Sequence, residues 1–229
     1  MITVVHLYPR ELGINGDVGN VMAVAKRAEW RGMPLTVVNH EVGAELPSAA
    51  HLVHIGSGPV SGQELVFDDL ARIAPTLRGW AASGVPFLAI AGGWHLLGRT
   101  ITAVDGASRE GVGIFPCSTV QTNERTVREV FARGGGSEVA GFENFGAATT
   151  FTEGESLLGH GIVWGASVGT NLHGPFLPMN PRWADRMLAS AAALAGVPMG
   201  DGDERVAEVD GYAAKSRAAI RQRVGTESR

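Results

Sequence analysis

The stretch whose residue types and spacing best fit a reactive centre is Val85-Pro86-Phe87-Leu88-Ala89-Ile90-Ala91-Gly92-Gly93-Trp94-His95-Leu96-Leu97-Gly98. Phe87 to Ile90 is a short apolar run of the kind a buried parallel strand needs. One small residue and two glycines follow, then an apolar segment with helical spacing. Strand, tight glycine turn and helix form the frame of a nucleophile elbow, which exposes one side chain over a helix N-terminus. The amides and the helix dipole there stabilise a thiolate. The position that should carry sulfur or hydroxyl is Ala91, and a methyl group attacks nothing.

Other reactive residue types lack a matching frame. Cys117 is the single cysteine, has no glycine elbow around it, and reads as a thiol acting as a small hydrophobe. Ser57 and Ser61 do not sit in a Gly-x-Ser-x-Gly pattern, which argues against a serine hydrolase. His51 and His54 are three apart in an expected strand and point to opposite faces, so they are poor co-ligands. There is no metal-ligand spacing, no Walker A and no GxGxxG, so neither a metal nor a cofactor is expected. Gly56-Ser57-Gly58 reads as a glycine turn, and His173, between Leu172 and Gly174, as a packed and hydrogen-bonded histidine unless it serves as a base.

The elements that must position these residues alternate. Strands are expected at Ile2 to Leu7, Pro34 to Val38, His51 to Ile55 and Phe87 to Ile90. Between them lie a helix from Asp17, its N-cap, to about Arg31, and another from about Gln63 to Ser83. That alternation implies a doubly wound, mostly parallel sheet. After Gly98 come short β-prone pieces: Val112 to Phe115, Ser118 to Val120, Thr126 to Phe131, Val139 to Phe142 and Ala148 to Phe151. They suggest an antiparallel or mixed extension. Gly161 to Trp164 and Ala166 to Leu172 read as further strands, and Arg182 to Leu194 and Val206 to Val224 as helices. The chain has 229 residues, 45% hydrophobic and 18% charged, and no linker long enough to separate domains. Residues 1–229 therefore read as a single domain in which 204–229 form a C-terminal helix and tail. A net charge of −4 gives no footprint for nucleic acid or an anionic membrane. No apolar run is long enough to span a bilayer, the N-terminus has no basic leader, and one cysteine points to the cytoplasm.

At these residues the chain resembles the class I glutamine amidotransferases, and within them the cobyric-acid-synthase-type branch, GatD-like proteins above all. That branch carries Cys-Gly-Gly-Tyr-Gln-x-Leu-Gly at its elbow, where this chain has Ala91-Gly92-Gly93-Trp94-His95-Leu96-Leu97-Gly98. Leu7-Tyr8-Pro9, Asn15-Gly16-Asp17-Val18-Gly19-Asn20 and Gly141-Phe142-Glu143-Asn144 are similar to further motifs of the branch. So is the long run Gly169-Thr170-Asn171-Leu172-His173-Gly174-Pro175-Phe176-Leu177-Pro178-Met179-Asn180-Pro181. The resemblance implies a three-layer α/β fold of the flavodoxin-like kind. It implies that His173 is the base partner of the absent cysteine at Ala91. It also places Gly56, Ser57, Gly58, Gly92, Trp94 and His95 in the oxyanion and substrate pocket. No His-x-Glu follows His173, since the residue two on is Pro175, so no third triad member is visible. Where the branch continues His-x-Gly-Arg-Thr after Gly-Phe-Glu-Asn, this chain has Phe145-Gly146-Ala147-Ala148-Thr149, and polar groups are lost there as at the elbow.

The expected function is therefore a glutaminase-like subunit that lacks glutamine hydrolysis and accompanies a MurT-type Mur-ligase subunit, as a heterodimer, in modifying the D-glutamate of lipid II. One alternative is an active glutaminase whose cysteine has been exchanged for Ala91. Another is a small-molecule binding module with Trp94 and His95 as new pocket walls. A subunit without chemistry persists through an interface, and Val112 to Phe151 is the region expected to present an apolar patch.

Overall fold

The structure, a computed structural model, describes residues 1–228. Strand β1 (Ile2–Leu7) leads through a 3-10 turn at Ile14–Gly16 into helix α1 (Val18–Glu29), followed by β2 (Leu35–His40) and β3 (Leu52–Ile55). Helix α2 (Val60–Ala82), strand β4 (Phe87–Ile90) and the short helix α3 (Gly92–Leu96) come next. Then follow β5 (Thr100–Thr102), β6 (Ser108–Glu110) and two long strands, β7 (Cys117–Gly134) and β8 (Ser137–Phe151). The chain continues with β9 (Glu155–Ser156), β10 (Gly161–Trp164), β11 (Ser167–Thr170) and β12 (Leu172–His173). It closes with α4 (Phe176–Met179), α5 (Pro181–Ala195), α6 (Glu204–Val224) and β13 (Glu227–Ser228).

The main sheet has seven strands in the order β2-β1-β3-β4-β11-β10-β9, parallel from β2 to β11 and antiparallel at β10 and β9. Side-chain alternation sends Leu88 and Ile90 of β4 to one face, where Val24 of α1 and Met187 and Leu188 of α5 lie in the same core. Phe87 and Ala89 go to the other face, with Val66, Leu70, Ile73 and Leu77 of α2. A sheet buried on both faces needs apolar residues at successive positions, which is why β4 reads as an unbroken apolar run. This is the expected three-layer α/β architecture. The elbow strand is the fourth of seven, so its C-terminal end opens mid-sheet.

The second sheet is the mixed extension, ordered β12-β8-β7-β5-β6 with β13 added on β7. The short pieces expected between Ser118 and Phe151 merge into one long antiparallel hairpin, interrupted by a register shift between Gln121 and Thr126. Val112 to Phe115 is not a strand: its amides bond back to Leu96, Leu97 and Gly98 carbonyls, bracing the end of α3. His51 lies just outside β3, where its Nδ1 accepts from Thr3 N at 3.0 Å.

Candidate functional site

Ala91 stands where β4 gives way to α3, with φ 41° and ψ −107°. A residue bearing a Cβ is strained there, at a cost of about 1–3 kcal/mol, and needs its surroundings to hold it. Its N–H donates to Thr170 O of β11 at 2.7 Å, and its carbonyl accepts from His95 N at 2.9 Å. Gly93 lets the first turn of α3 lie on the end of β3, because a Cβ there would collide with Gly56 O and Ile55. The elbow backbone is thus fully formed around a methyl group that is 2% exposed.

His173 ends β12 and is completely buried. Its Nδ1 lies 3.0 Å from Oδ1 and 3.2 Å from Oδ2 of Asp17, which is equally buried. Asp17 Oδ2 also accepts from the Ser57 N–H at 2.9 Å, and the Asp17 main-chain oxygen lies 3.1 Å from His54 Nε2. The sequence reads Asp17 as an N-cap. Its backbone is already helical, at φ −60° and ψ −25°, so the side chain makes no capping bond and turns to His173 instead. Burial raises the Asp17 pKa, against the pull of His173 and the Ser57 amide. A carboxylate on Nδ1 fixes the tautomer that leaves Nε2 basic, and His173 Nε2 has no hydrogen-bond partner among the described residues. Asp17 and His173 form a buried carboxylate–imidazole pair of the kind that makes up the acid–base half of a triad, and the elbow residue Ala91 carries no sulfur or hydroxyl. Sequence reasoning missed Asp17 because it lies 156 positions before His173. The available signal was the Gly16-Asp17-Val18-Gly19-Asn20 motif.

The remaining site residues gather at the same strand ends, turned inward. Gly56, Ser57 and Gly58 are buried beneath the Glu11–Leu12 main chain. The Ser57 amide is committed to Asp17, and Gly58 O accepts from Gln63 Nε2 at 3.1 Å. Gly92 lies against the same Gln63 side chain. Trp94 is 2% exposed and packs on Gly169, where any Cβ would overlap the indole ring. Its indole N–H is turned to the buried Cys117 thiol, whose pKa burial pushes up to about 11. His95 is 5% exposed; burial holds its pKa at about 4, with Asn171 pulling it up and His173 down. Trp94 and His95 therefore fill the interior rather than wall an open pocket. Among the described residues no group of three or more His, Cys, Asp or Glu could hold a metal ion.

The shared motifs act mainly as clamps around His173. Thr170 Oγ1 donates to His160 O at 2.7 Å and accepts from Leu172 N at 3.1 Å. Glu143 on β8 is buried, with His160 Nδ1 at 2.8 Å and the Arg128 Nε–H at 2.7 Å. These two partners outweigh the effect of burial and lower its pKa. Asn180 accepts from Ala140 N at 2.9 Å and donates to Ala140 O and Phe176 O, both at 2.8 Å. Asn144 donates to Asn15 Oδ1 at 3.3 Å, tying the hairpin to the turn before Asp17.

Comparison with known proteins identifies the family. Residues 3–181 match the CobB/CobQ-like glutamine amidotransferase domain. The chain is 31% identical over 213 residues to the GatD subunit of lipid II isoglutaminyl synthase (glutamine-hydrolyzing) from Staphylococcus aureus, covering 86% of this chain and 87% of that one. The corresponding subunit from Streptococcus pneumoniae is 25% identical over 208 residues, covering 83% and 80%. Among solved structures, a chain of PurLQS from Thermotoga maritima superposes with a TM-score of 0.53 at 12% identity, covering 85% of this chain and 98% of that one. A glutamine amidotransferase from the same organism gives 0.53 at 12%, covering 96% and 94%. At that identity the two structures speak for the fold alone. The chain belongs to the CobB/CobQ-like glutamine amidotransferase family, as a GatD-like class I member.

Proposed function

We propose that this chain is the glutaminase-like subunit of a complex that modifies the D-glutamate of lipid II, and that it does not itself hydrolyse glutamine. Its role is to accompany and shape a MurT-type Mur-ligase subunit in the cytoplasm, where the ATP for carboxylate activation is at hand. The relatives named as GatD subunits support the precursor and the need for a partner. The observation that carries the reading is Ala91 at a fully formed elbow. A glutaminase must attack the side-chain amide with a thiolate, pass a proton to the departing ammonia and hold the oxyanion with free N–H groups. The methyl group cannot perform the first step, and the Ser57 amide is already spent on Asp17.

The intact Asp17–His173 pair favours a second reading, a glutaminase whose only defect is alanine in place of cysteine. Ammonia release from glutamine, measured on the chain co-expressed with its ligase subunit, separates the two. The chain as it stands is expected to release none above background, since loss of the nucleophile in a serine hydrolase costs on the order of 10⁶ in turnover. Ala91→Cys is expected to remain at background, because His95 and the committed Ser57 amide leave no substrate contacts. Turnover near that of a normal glutaminase in Ala91→Cys would establish the second reading.

A further inference from the structure

The Val112 to Phe151 region presents charge rather than the expected apolar patch. Its exposed large hydrophobics are Val120 and Val127, both on β7. At the end of the hairpin, Gly134 pairs with Ser137, and the chain turns through Gly135 and Gly136 at φ 56° and 77°. A hollow of about 440 Å³ opens between this tip and the start of α5, a size suited to a small molecule. The elbow contributes no residue to it.

The hollow is basic. Arg133, Arg182 and Arg217 line it, and Glu138 is the carboxylate they share. Arg133 Nη2 donates to Glu138 Oε2 at 2.8 Å and Arg217 Nε to Oε1 at 3.1 Å, and these bonds lower the Glu138 pKa, so it stays ionised. Arg217, 16% exposed, is fixed a second time by Met179 O, which accepts from its Nη1 at 2.8 Å. Its Nη2, Nε and Nη1 of Arg133 and the whole Arg182 guanidinium have no acceptor among the described residues. One carboxylate against three guanidiniums leaves two positive charges unmatched in the hollow. Arg221 adds a further one beside it: its guanidinium and that of Arg133 lie 5.7 and 5.9 Å from the centre of the same Phe131 ring. Glu129 on β7 and Asp185 on α5 do not compensate, since Arg223 binds the first and Arg27 the second, both at 2.6 Å. In a chain of net charge −4 this excess is local. Like charges held together favour a counter-anion, and guanidinium forks fit the paired oxygens of carboxylates and phosphates. A single carboxylate would cancel one of the two charges. A diphosphate ester supplies about two or three, on two linked phosphoryl groups, and the Ser137 side chain in the same hollow adds a neutral donor.

We propose that the hollow between the β7–β8 tip and the start of α5 binds a diphosphate group, held by Arg133, Arg182 and Arg217. Such a site stands whether or not the chain accompanies a ligase. Inorganic pyrophosphate, titrated into the full chain in metal-free buffer and followed by calorimetry, should bind saturably at one site. It should bind at least tenfold more tightly than orthophosphate or acetate. Arg182→Glu, which removes an exposed side chain without a partner and reverses its charge, should weaken binding at least tenfold and leave the melting temperature unchanged. Arg10→Gln, an exposed arginine outside the hollow, should leave binding unchanged. Flotation with phosphatidylcholine vesicles carrying a polyprenyl diphosphate then identifies the source. Retention that pyrophosphate competes away supports the site with a lipid-borne diphosphate, and pyrophosphate binding without retention supports it with a soluble one. No saturable binding of pyrophosphate, binding no tighter than that of orthophosphate, or binding unchanged in Arg182→Glu would overturn the site. Retention on phosphatidylglycerol vesicles by a chain that does not bind pyrophosphate would make the arginines a bilayer-facing patch and overturn it as well.

Discussion

Asp17 makes three connections at once: His173 Nδ1, the Ser57 amide and, through its main-chain oxygen, His54. The substitution Asp17→Asn preserves its shape but offers one acceptor and one donor group to two incoming donors. The conflict resolves if the amide oxygen keeps the Ser57 bond, the amide nitrogen donates to His173 Nδ1, and the imidazole proton moves to Nε2. The variant should therefore fold with a loss below about 1.5 kcal/mol in urea titration. The His173 ring should show the opposite tautomer in its ¹⁵N shifts. An unchanged tautomer would mean that Asp17 does not set the proton position. Asp17→Ala leaves the Ser57 amide unsatisfied in a buried site and should cost more, about 1–3 kcal/mol. How legible such a site is depends on sequence distance. The elbow could be read from Ala91-Gly92-Gly93 because strand, turn and helix are contiguous. The carboxylate could not, because the start of α1 and the end of β12 come together only in the folded chain.

At the scale of elements, β4, α2 and α3 follow from local pattern, and α2 carries a flaw the pattern also shows. Gly79 lies inside this helix, and a Cβ there would meet nothing within 4 Å. Gly79→Ala removes backbone freedom from the unfolded chain without a clash, so it should stabilise by about 0.5–1 kcal/mol. Gly169→Ala is the contrasting case, since its Cβ would enter the Trp94 ring in a site with no room to relax. A loss of more than about 1 kcal/mol is expected, and both variants are checked by thermal or urea unfolding. Parallel strands and their helices were legible because burial on both faces leaves unbroken apolar runs, as at Phe87 to Ile90. The long hairpin was legible only in fragments. Its middle, Thr122 to Arg125, is exposed and polar, so no apolar alternation marks it as strand. Pairing on either side of it, Gln121 with Ala147 and Thr126 with Phe145, supplies the continuity instead. Strands as short as β9 and β13 leave no period to read.

For the whole molecule, buried histidines decide how the fold responds to acid. His6, His54 and His95 have pKa values lowered by burial to about 4, 3 and 4, and His54 is pushed down further by His6 at a ring distance of 5.1 Å. His54 packs between two carbonyls, Leu88 O at 3.0 Å and Asp17 O at 3.1 Å, while His6 Nε2 has no hydrogen-bond partner among the described residues. In the unfolded chain each titrates near its ordinary value of about 6.5, so below that pH the unfolded state binds protons that the folded state refuses. Stability is therefore complete above about pH 6.5 and falls as the pH drops toward about 4. Each histidine contributes about 1.4 kcal/mol per pH unit over its window. Asp17 acts in the opposite direction, because its raised pKa makes the folded state take up a proton first. Asp69 and Glu143, both lowered by their partners, reinforce the loss at the acidic end. The melting temperature, followed by circular dichroism from about pH 7 to about pH 4, should fall steeply and continuously from about pH 6.5. His6→Phe removes one of the three titrations and sacrifices no hydrogen bond at Nε2. Its slope between about pH 6 and about pH 4.5 should be shallower by about a third of the histidine contribution. A melting temperature flat down to about pH 4.5, or a slope unchanged in His6→Phe, would show that these histidines take up protons in the folded state.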